Sequence, residues 1–294
     1  MADYVVSACS TADLSKEYFE KRDIKYICFH YELDGVQHMD DLGQSMPLPK
    51  FYDLMDAGSD TKTSQVNAEE YEAYFESFLK KGLDIVHMCL SSGISGTVNS
   101  AMIAKDMLEE KYPERKIYVI DSLCASSGFG LLADKAADLR DEGKTVDEVY
   151  EYIEANKVRL QHWFFCSDLK FFIKGGRVTK TAGFVGTMLN ICPMLDVNAE
   201  GKLIPRSKIR GKKKACIEIV NLMEKHAENG LDYSGKVFIS NSDCTEDAEL
   251  VARYVKERFP KVSEVMVNMI GTTIGSHTGR GTVALFFWGD DRQI

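Results

Sequence analysis

A buried strand followed by a hydroxyl-rich turn and a helix is the feature that most restricts the fold of this chain. Residues 84–90 read Asp-Ile-Val-His-Met-Cys-Leu, a mostly apolar run that is typical of a buried strand. Residues 98–112 carry apolar side chains at helical spacing. The seven residues between them, Ser-Ser-Gly-Ile-Ser-Gly-Thr at 91–97, therefore form a strand-to-helix turn.

The same alternation of strand and helix patterns runs from residue 4 to about residue 158. It predicts an α/β architecture in which a parallel sheet is covered by helices. After that point consecutive strands with a few helices predict an α+β arrangement. Because 294 residues are enough for two domains, we expect an N-terminal α/β domain over residues 1–159, packed closely on a C-terminal α+β domain over residues 160–294.

Three segments carry further structural expectations. Residues 61–65 read Thr-Lys-Thr-Ser-Gln and predict a polar loop. Residues 271–281 hold four glycines around His277 and predict a turn. Residues 181–190 are largely apolar and predict a short helix.

The composition argues against several classes of protein. A formal net charge of −9 is unfavourable for a nucleic-acid binder. None of the eight cysteines lies within ten residues of another, so CxxC redox and zinc patterns are missing, and no other metal-ligand spacing is present. No apolar run reaches about 18 residues, so we expect no membrane span. The chain enters its first strand without a signal-peptide pattern, so the cytoplasm is the expected location.

The turn at 91–97 suggests an anion site. Its two glycines allow the backbone to approach a ligand closely, and its four hydroxyls lie beside the free N–H groups of a helix N-terminus. The chain lacks a G-x-x-x-x-G-K-[ST] string, and no Lys or Arg lies between Lys81 and Lys105, so a carboxylate suits the turn better than a nucleotide. The alternative is an ordinary Ser/Thr helix cap.

Two other segments are candidates for ligand contact. Ligands of parallel sheets bind where the carboxyl ends of the strands meet, and residues 61–65 and 91–97 are both candidates for that edge. His277 lies in a glycine-dense turn and can donate to a carboxylate or carry a proton. The alternative is a turn histidine whose ring is bonded to backbone carbonyls.

The segment Lys202 to Lys214 contains seven cations and no acid. On an acidic chain such a segment can steer an acidic partner. The alternative is a solvated strand and helix face.

An enzyme is the rival interpretation. Ser95 and His277 are the residues that an acyl hydrolase or acyltransferase would use. However, the chain has no G-x-S-x-G nucleophile elbow, and no Ser/His/acid triad can be assigned. A nucleotide-binding regulator is a third possibility that rests only on the α/β pattern.

Seven short strings together resemble the DegV family of bacterial fatty-acid-binding proteins. They are Ser-Thr-Ala-Asp-Leu at 10–14, Thr-Ser-Gln at 63–65, the turn at 91–97, Asp-Ser at 121–122 with Gly-Phe-Gly at 128–130, Gly-Gly-Arg at 175–177, Arg-Gly-Lys-Lys-Lys at 210–214 and Ile-Gly-Ser-His-Thr-Gly at 274–279. They span nearly the whole chain in the family's order. The resemblance implies two domains with one long-chain fatty acid between them, no cofactor and no catalysis by the carrier itself.

The resemblance also implies residue roles and a partner. The fatty-acid carboxylate is expected on the hydroxyls of Thr63 and Ser95 with His277 close, and the neighbouring Ser64, Gly96 and Thr97 are expected to complete this site. The partner is an ATP-dependent fatty acid kinase that makes the acyl phosphate.

Two further sets of residues are predicted from their position in the sequence. An apolar cluster after the Gly-Gly-Arg turn is expected to line the acyl chain together with Ile94; its members are Phe184, Met188, Leu189, Ile191 and Met194. Three arginines are expected on the kinase-facing surface, namely Arg177, Arg206 and Arg210. Arginine suits such a surface because its planar fork pairs with carboxylates bidentately.

The chain departs from the family pattern at two positions. Cys9 precedes Ser10 where the family usually has Asp, and Arg280 follows the His-Thr-Gly string where the family usually has Pro. The first change is expected to alter the loop beside the carboxylate, and the second to add a charge near the mouth of the site.

Overall fold

In a computed structural model, which describes residues 3–179 and 190–294, strands and helices alternate through the first half of the chain. The strands are β1 (Tyr4–Cys9), β2 (Ile24–Ile27), β3 (His30–Leu33), β4 (Val36–Met39), β5 (Thr61–Ser64), β6 (Asp84–Cys89) and β7 (Ile117–Asp121). The helices are α1 (Lys16–Lys21), α2 (Leu48–Asp56), α3 (Ala68–Leu79), α4 (Thr97–Lys111), α5 (Ser127–Asp141) and α6 (Val146–Asn156).

The second half is richer in consecutive strands. Its strands are β8 (Leu160–Phe165), β9 (Ile191–Val197), β10 (Leu203–Arg210), β11 (Lys236–Asn241), β12 (Glu264–Met269) and β13 (Val283–Trp288). Its helices are α7 (Lys170–Lys174), α8 (Lys212–His226), α9 (Thr245–Arg258) and α10 (Thr272–Thr278). The helix expected over residues 181–190 lies almost entirely outside the described residues.

The first sheet is parallel, as predicted. Its order is β2-β1-β6-β7, and all three pairings are parallel. Most side chains of β1 and β6 are apolar and buried, and helices cover them. Local sequence signals place two of these helices, because Asn67 and Thr145 form capping boxes at the starts of α3 and α6.

A small second sheet corrects one prediction. β3 and β4 form the hairpin around Asp34 and Gly35, and β5 pairs antiparallel with β3 in the order β4-β3-β5. Residues 61–64 are therefore a strand and not a loop. Their polar composition hid this because β5 is an edge strand of which only Thr61 is fully buried.

The third sheet has six strands in the order β10-β9-β8-β13-β11-β12. All its pairings are antiparallel except that of β11 with β12. Its strands alternate between two cores: Phe164 and Phe286 belong to the core shared with the first sheet, whereas Phe165 and Phe287 pack against α8 and α9 on the other face. This mixed sheet confirms the expected α+β character of the second half.

Helix α5 joins the two halves. It contacts β1 of the first sheet and β8, β11 and β13 of the third. At its first residue, Ser127 Oγ accepts hydrogen bonds from Ser240 Oγ (2.8 Å) and Asn268 Nδ2 (3.2 Å). All strands of the first two sheets end before residue 122, and all strands of the third sheet lie at residue 160 or later. One hydrophobic core nevertheless includes residues of both halves of the chain. Domain limits at 1–159 and 160–294 stay a prediction.

Helix α10 corrects the prediction of a turn around His277. Residues 272–278 are helical although Gly275 lies among them. Buried acids hold the start of this helix: Asp13 Oδ1 accepts from Gly271 N (2.9 Å), and Asp40 Oδ1 accepts from Thr272 Oγ1 (2.9 Å). Because both acids lie more than 230 residues away in sequence, local patterns did not reveal the helix.

Within the described residues, none of the helices is long and apolar enough to cross a lipid bilayer.

Candidate functional site

A cavity of about 350 Å³ lies between the second sheet, the 91–97 turn, the inner face of the third sheet and α10. Its apolar wall consists of Phe29, Leu90, Ile94, Ala125, Phe164, Phe172, Val197, Leu203, Ile270, Ile274, Ala284 and Phe286. Its polar groups come from Thr63, Ser64, Gln65, Ser95, Gly96, Ser126, His162, Arg177, Thr273, His277, Thr278 and Thr282.

The cavity wall contains a polar cluster of Thr63, His277 and Arg177, which come from three segments that are distant in sequence. Thr63 Oγ1 at the end of β5 hydrogen-bonds His277 Nε2 on α10 at 2.8 Å. Arg177 lies beside this pair, and its Nε donates to the backbone oxygen of Ile94 in the 91–97 turn (3.1 Å). The structure therefore brings residues 63, 94, 177 and 277 together in one wall.

His277 is a neutral histidine in this setting. Burial lowers its pKa, and the positive charge of Arg177 lowers it further, to about 4. One ring nitrogen of the neutral form carries a proton and the other accepts. Nε2 is paired with Thr63, and Nδ1 is buried without a hydrogen-bond partner among the described residues. His277 can thus position a hydroxyl, but it brings no positive charge at neutral pH.

The Gly-Gly-Arg turn is fitted to the histidine. A Cβ at Gly175 would lie 2.2 Å from His277 Nδ1, so any larger residue would displace the imidazole. Arg177 Nη1 donates to the backbone oxygen of Gly175 (2.6 Å) and keeps the turn closed. The glycine explains how α10 and the segment after α7 approach so closely.

The 91–97 turn is held by a contact to the other half of the chain. Ser91 Oγ donates to the backbone oxygen of Gly201 (2.9 Å), and a Cβ at Gly93 would lie 2.5 Å from the same oxygen. Gly96 is the N-cap of α4, while Ser95 Oγ accepts from Thr97 N at 3.3 Å. Ser95 lines the cavity. Because its Oγ accepts a hydrogen bond in the turn, its hydroxyl proton is left to donate to a ligand.

Five predicted carboxylate-binding residues line the cavity together, namely Thr63, Ser64, Ser95, Gly96 and His277. Thr97 does not. Its buried Oγ1 bonds Tyr71 Oη at 2.8 Å behind the turn, because the first residue of α4 points back toward α3. Contact of the five with a carboxylate stays a prediction.

The predicted acyl-chain residues have different outcomes. Ile94 lies in the cavity wall. Met194 does not, because β9 alternates and turns this side chain to the outer face of the third sheet, where it packs in the second core. Phe184, Met188 and Leu189 lie outside the described residues.

The apolar residues that form most of the wall were missed. Phe164, Val197, Ala284 and Phe286 come from the inner face of the third sheet. Their strands were predicted from the sequence, but the sequence could not tell which face of the sheet meets the first half of the chain.

The arginines predicted to face the kinase or to lie at the mouth of the site have different surroundings. Arg206 on β10 bonds Asp196 (2.8 Å), whereas Arg210 is exposed. Arg177 is half-buried and belongs to the cavity wall. Arg280, expected near the mouth, instead forms ion pairs with Asp53, Asp56 and Asp243, and it does not line the cavity.

The arrangement does not favour the rival enzyme. Among the described residues, no hydrogen bond joins Ser95 to His277, and the imidazole is committed to Thr63. A serine nucleophile needs a base within hydrogen-bond reach.

Comparison with known proteins gives a consistent result. The model of the DegV family matches residues 6–290, and a DegV domain-containing protein of Clostridium perfringens is 38% identical over the full length of both chains. This chain belongs to the DegV family. A Thermotoga maritima protein named a fatty acid-binding protein is 30% identical over 93% of both chains. A solved DegV-family structure from Ruminococcus gnavus, described with vaccenic acid, has a TM-score of 0.86 at 27% identity, with 97% of this chain and 100% of that chain covered.

Proposed function

We propose that this DegV-family protein binds one long-chain fatty acid in the cavity and presents its carboxyl group to a fatty acid kinase. The observation that carries the first part is an apolar cavity between the two halves, with the Thr63–His277–Arg177 cluster in its wall. Its volume of about 350 Å³ lies in the range of small-molecule sites, roughly 300–1,000 Å³. The names of relatives that bind fatty acids support the same ligand class.

The two parts of such a ligand contribute unequally. About fifteen buried methylenes at ~0.8 kcal/mol each give roughly 12 kcal/mol before the cost of association. A hydrogen bond from a neutral hydroxyl to a charged group contributes about 1.5–3 kcal/mol. The acyl chain therefore supplies most of the affinity, and the polar cluster sets which end faces outward.

The Thr63–His277 pair explains how uncharged side chains can donate hydrogen bonds to a carboxylate. If His277 Nε2–H donates to Thr63 Oγ1, the Thr63 hydroxyl is left to donate its own proton. That proton and the Ser95 hydroxyl are the donors that we assign to the two carboxylate oxygens. The half-buried Arg177 guanidinium favours the ionised form of the ligand by its charge.

The kinase step is the second part of the proposal. The motifs of the chain resemble those of carriers whose bound fatty acid is phosphorylated by a fatty acid kinase, and no Ser95–His277 dyad is formed within the described residues. A carrier of this kind leaves the chemistry to its partner. We place it in the cytoplasm, where such a kinase has ATP.

Lipid extraction tests the ligand directly. Protein purified without added lipid is extracted with organic solvent and analysed by mass spectrometry, and we expect close to one long-chain fatty acid per chain. Titration with ATP should release no heat. The proposal would be overturned if the purified protein contained no fatty acid and also failed to take it up. It would also be overturned if the protein alone hydrolysed an acyl ester.

The cavity wall predicts a shift in chain length. Ala284 faces the cavity from β13, whereas its neighbour Val283 lies in the core on the other face. Ala284→Leu should move the extracted lipids toward shorter chains by roughly two to three methylenes, the volume added at the wall. Val283→Ile, the matched control, should leave the lipid profile unchanged. Equal profiles for both variants would place the acyl chain elsewhere.

A further inference from the structure

Two cysteines and a histidine meet behind the 91–97 turn. Cys9 ends β1 and Cys89 ends β6, and these parallel strands are paired up to Ala8 and Met88. His87 lies two residues before Cys89, on the same face of β6. The two sulfur atoms and one imidazole nitrogen lie within 4.8 Å of one another, and all three residues are fully buried.

The distances in this cluster fit tetrahedral coordination. Zn–S and Zn–N bonds of about 2.3 and 2.05 Å place neighbouring ligand atoms about 3.5 Å apart in a tetrahedron. Cys9 Sγ lies 3.6 Å from His87 Nε2. Tyr71 Oη lies 3.2 Å from Cys9 Sγ and 3.9 Å from Cys89 Sγ, next to the fourth position.

The histidine is already oriented for this role. Its Nδ1 bonds Ser7 Oγ at 2.9 Å, and Ser7 Oγ bonds Tyr74 Oη at 2.7 Å. Such a hydrogen bond on one ring nitrogen fixes the tautomer and directs the other nitrogen to a metal. Nε2 therefore faces the two sulfur atoms.

We propose that Cys9, His87 and Cys89 bind Zn²⁺, with Tyr71 Oη beside the fourth coordination position. Two thiolates, a neutral imidazole and Zn²⁺ sum to zero charge, which suits a site with no exposed atoms better than the net negative charge that Cu⁺ would leave. Binding releases the two thiol protons to solvent.

The site would brace the wall that carries the 91–97 turn. Tyr71 Oη also bonds Thr97 Oγ1 at 2.8 Å, and Thr97 is the first residue of α4. The ion would thus tie β1, β6 and α3 to the start of the helix that follows the turn. It lies outside the cavity wall, so its presence does not depend on the proposed fatty acid.

Refolding with Co²⁺, a spectroscopic substitute for Zn²⁺, tests the proposal. Because the ligands are fully buried, the reduced chain is unfolded in denaturant and refolded with the ion. We expect one equivalent of Co²⁺, with thiolate-to-cobalt charge transfer and the visible bands of a tetrahedral site, and displacement by Zn²⁺. Cys9→Ser, Cys89→Ser and His87→Asn should lose these bands. Cys216→Ser, which removes another buried cysteine on α8, should keep them.

Measurements on the unmodified protein guard against variants that fail to fold. Native mass spectrometry of the refolded wild type should show the added mass of one Zn²⁺. Thermal unfolding of the same protein should show a melting temperature that rises when Zn²⁺ is present. Wild type that refolds with no cobalt bands and no bound zinc overturns the proposal. So does a disulfide between Cys9 and Cys89 in the refolded protein, identified by peptide mapping together with the loss of two of the eight thiols. Fatty-acid content measured on the same samples keeps this result separate from the proposed lipid binding.

Discussion

Thr63, Ser95 and His277 are polar residues of the cavity wall that were predicted to meet a carboxylate. None of them carries charge at neutral pH, since burial and Arg177 keep the pKa of His277 at about 4. Arg177 adds one positive charge to the wall, but most of the affinity is expected from apolar contact, and the hydroxyls set the orientation of the carboxylate. Two predictions about single residues follow from this division.

The first concerns the hydroxyls. Thr63→Val and Ser95→Ala each remove one donor to the carboxylate, and a net loss of about 1.5 kcal/mol, the low end for a hydrogen bond to a charged group, corresponds to roughly a ten-fold rise in Kd for fatty acid. Acyl phosphate formation with the kinase should fall much further, because a misplaced carboxyl group no longer meets the ATP site. Displacement of a fluorescent fatty acid measures the first effect. Ser92→Ala, exposed in the same turn and absent from the cavity wall, is the matched control.

If the fatty acid bound to the Thr63→Val/Ser95→Ala double variant is phosphorylated at the normal rate, the carboxyl group lies elsewhere.

The second concerns the titration of His277. With a folded pKa of about 4 and an unfolded pKa of about 6.5, the unfolded state binds the extra proton first as the pH falls. The contribution of His277 to stability is therefore present above pH 6.5 and lost between 6.5 and 4. NMR of the imidazole, assigned with His277→Gln, should give a midpoint below 5 in lipid-free protein. A midpoint near 6.5 would mean that the ring is solvated.

At the scale of residues, motifs drew attention to side chains that the structure places close together. Thr63, Ser95 and His277 were singled out from hydroxyl-rich and glycine-rich strings, and the structure brings them into one wall. The Cys9–His87–Cys89 cluster was not found, because its members are spread over more than 75 residues and only the pairing of β1 with β6 unites them. Thr97 belongs to the same motif but does not line the cavity, because its hydroxyl bonds Tyr71.

At the scale of elements, hydrophobic periodicity was enough to predict the long amphipathic helices and the buried strands. It did not predict two short elements. β5 is a polar edge strand held by β3, and α10 is a glycine-containing helix held by Asp13 and Asp40. Both are formed by contacts with distant residues that override weak local propensity. Both also carry the polar cluster, so the site lies on the elements that sequence patterns describe least well.

The close contact of α10 with the Gly-Gly-Arg turn gives an element-scale prediction. Gly175→Ala places a Cβ against His277 Nδ1, so the imidazole must rotate and its bond to Thr63 is lost. We expect fatty-acid affinity to fall about five-fold, similar to the loss of one hydrogen bond. The change should have little effect when His277 is already Ala, because the clash is then gone. A double-mutant cycle read by lipid displacement measures this coupling, and additive effects would argue against it.

For the whole molecule, the order of strands and helices was enough to predict a parallel α/β half packed against an α+β half. The cavity itself was not predictable, since it depends on which face of the third sheet meets the first half. Phe164 and Phe165 are adjacent and equally apolar, yet only Phe164 lines the cavity. The packing of α5 against both sheets decides between the two faces.

The last prediction concerns the basic segment from Lys202 to Lys214. On a chain of net charge −9 it is a local reversal of sign, but ion pairs with acids hold three of its cations, Lys202, Arg206 and Lys212. Arg210 is exposed on the edge strand β10 and is the cleaner test position. Arg206→Glu is a less clear test, because it would also place a new carboxylate beside that of Asp196.

If the segment docks the kinase, Arg210→Glu should leave fatty-acid binding unchanged and raise the apparent KM for the carrier in the kinase reaction. Long-range attraction is screened beyond about 8 Å at physiological salt, so the defect should be several-fold at low ionic strength and smaller at high salt. Lys81→Glu makes the same change of charge at an exposed residue after α3, outside the basic segment, and should have no effect. Equal KM values for both variants at low salt would show that the basic segment is only a solvated face, because steering acts most strongly where screening is weakest.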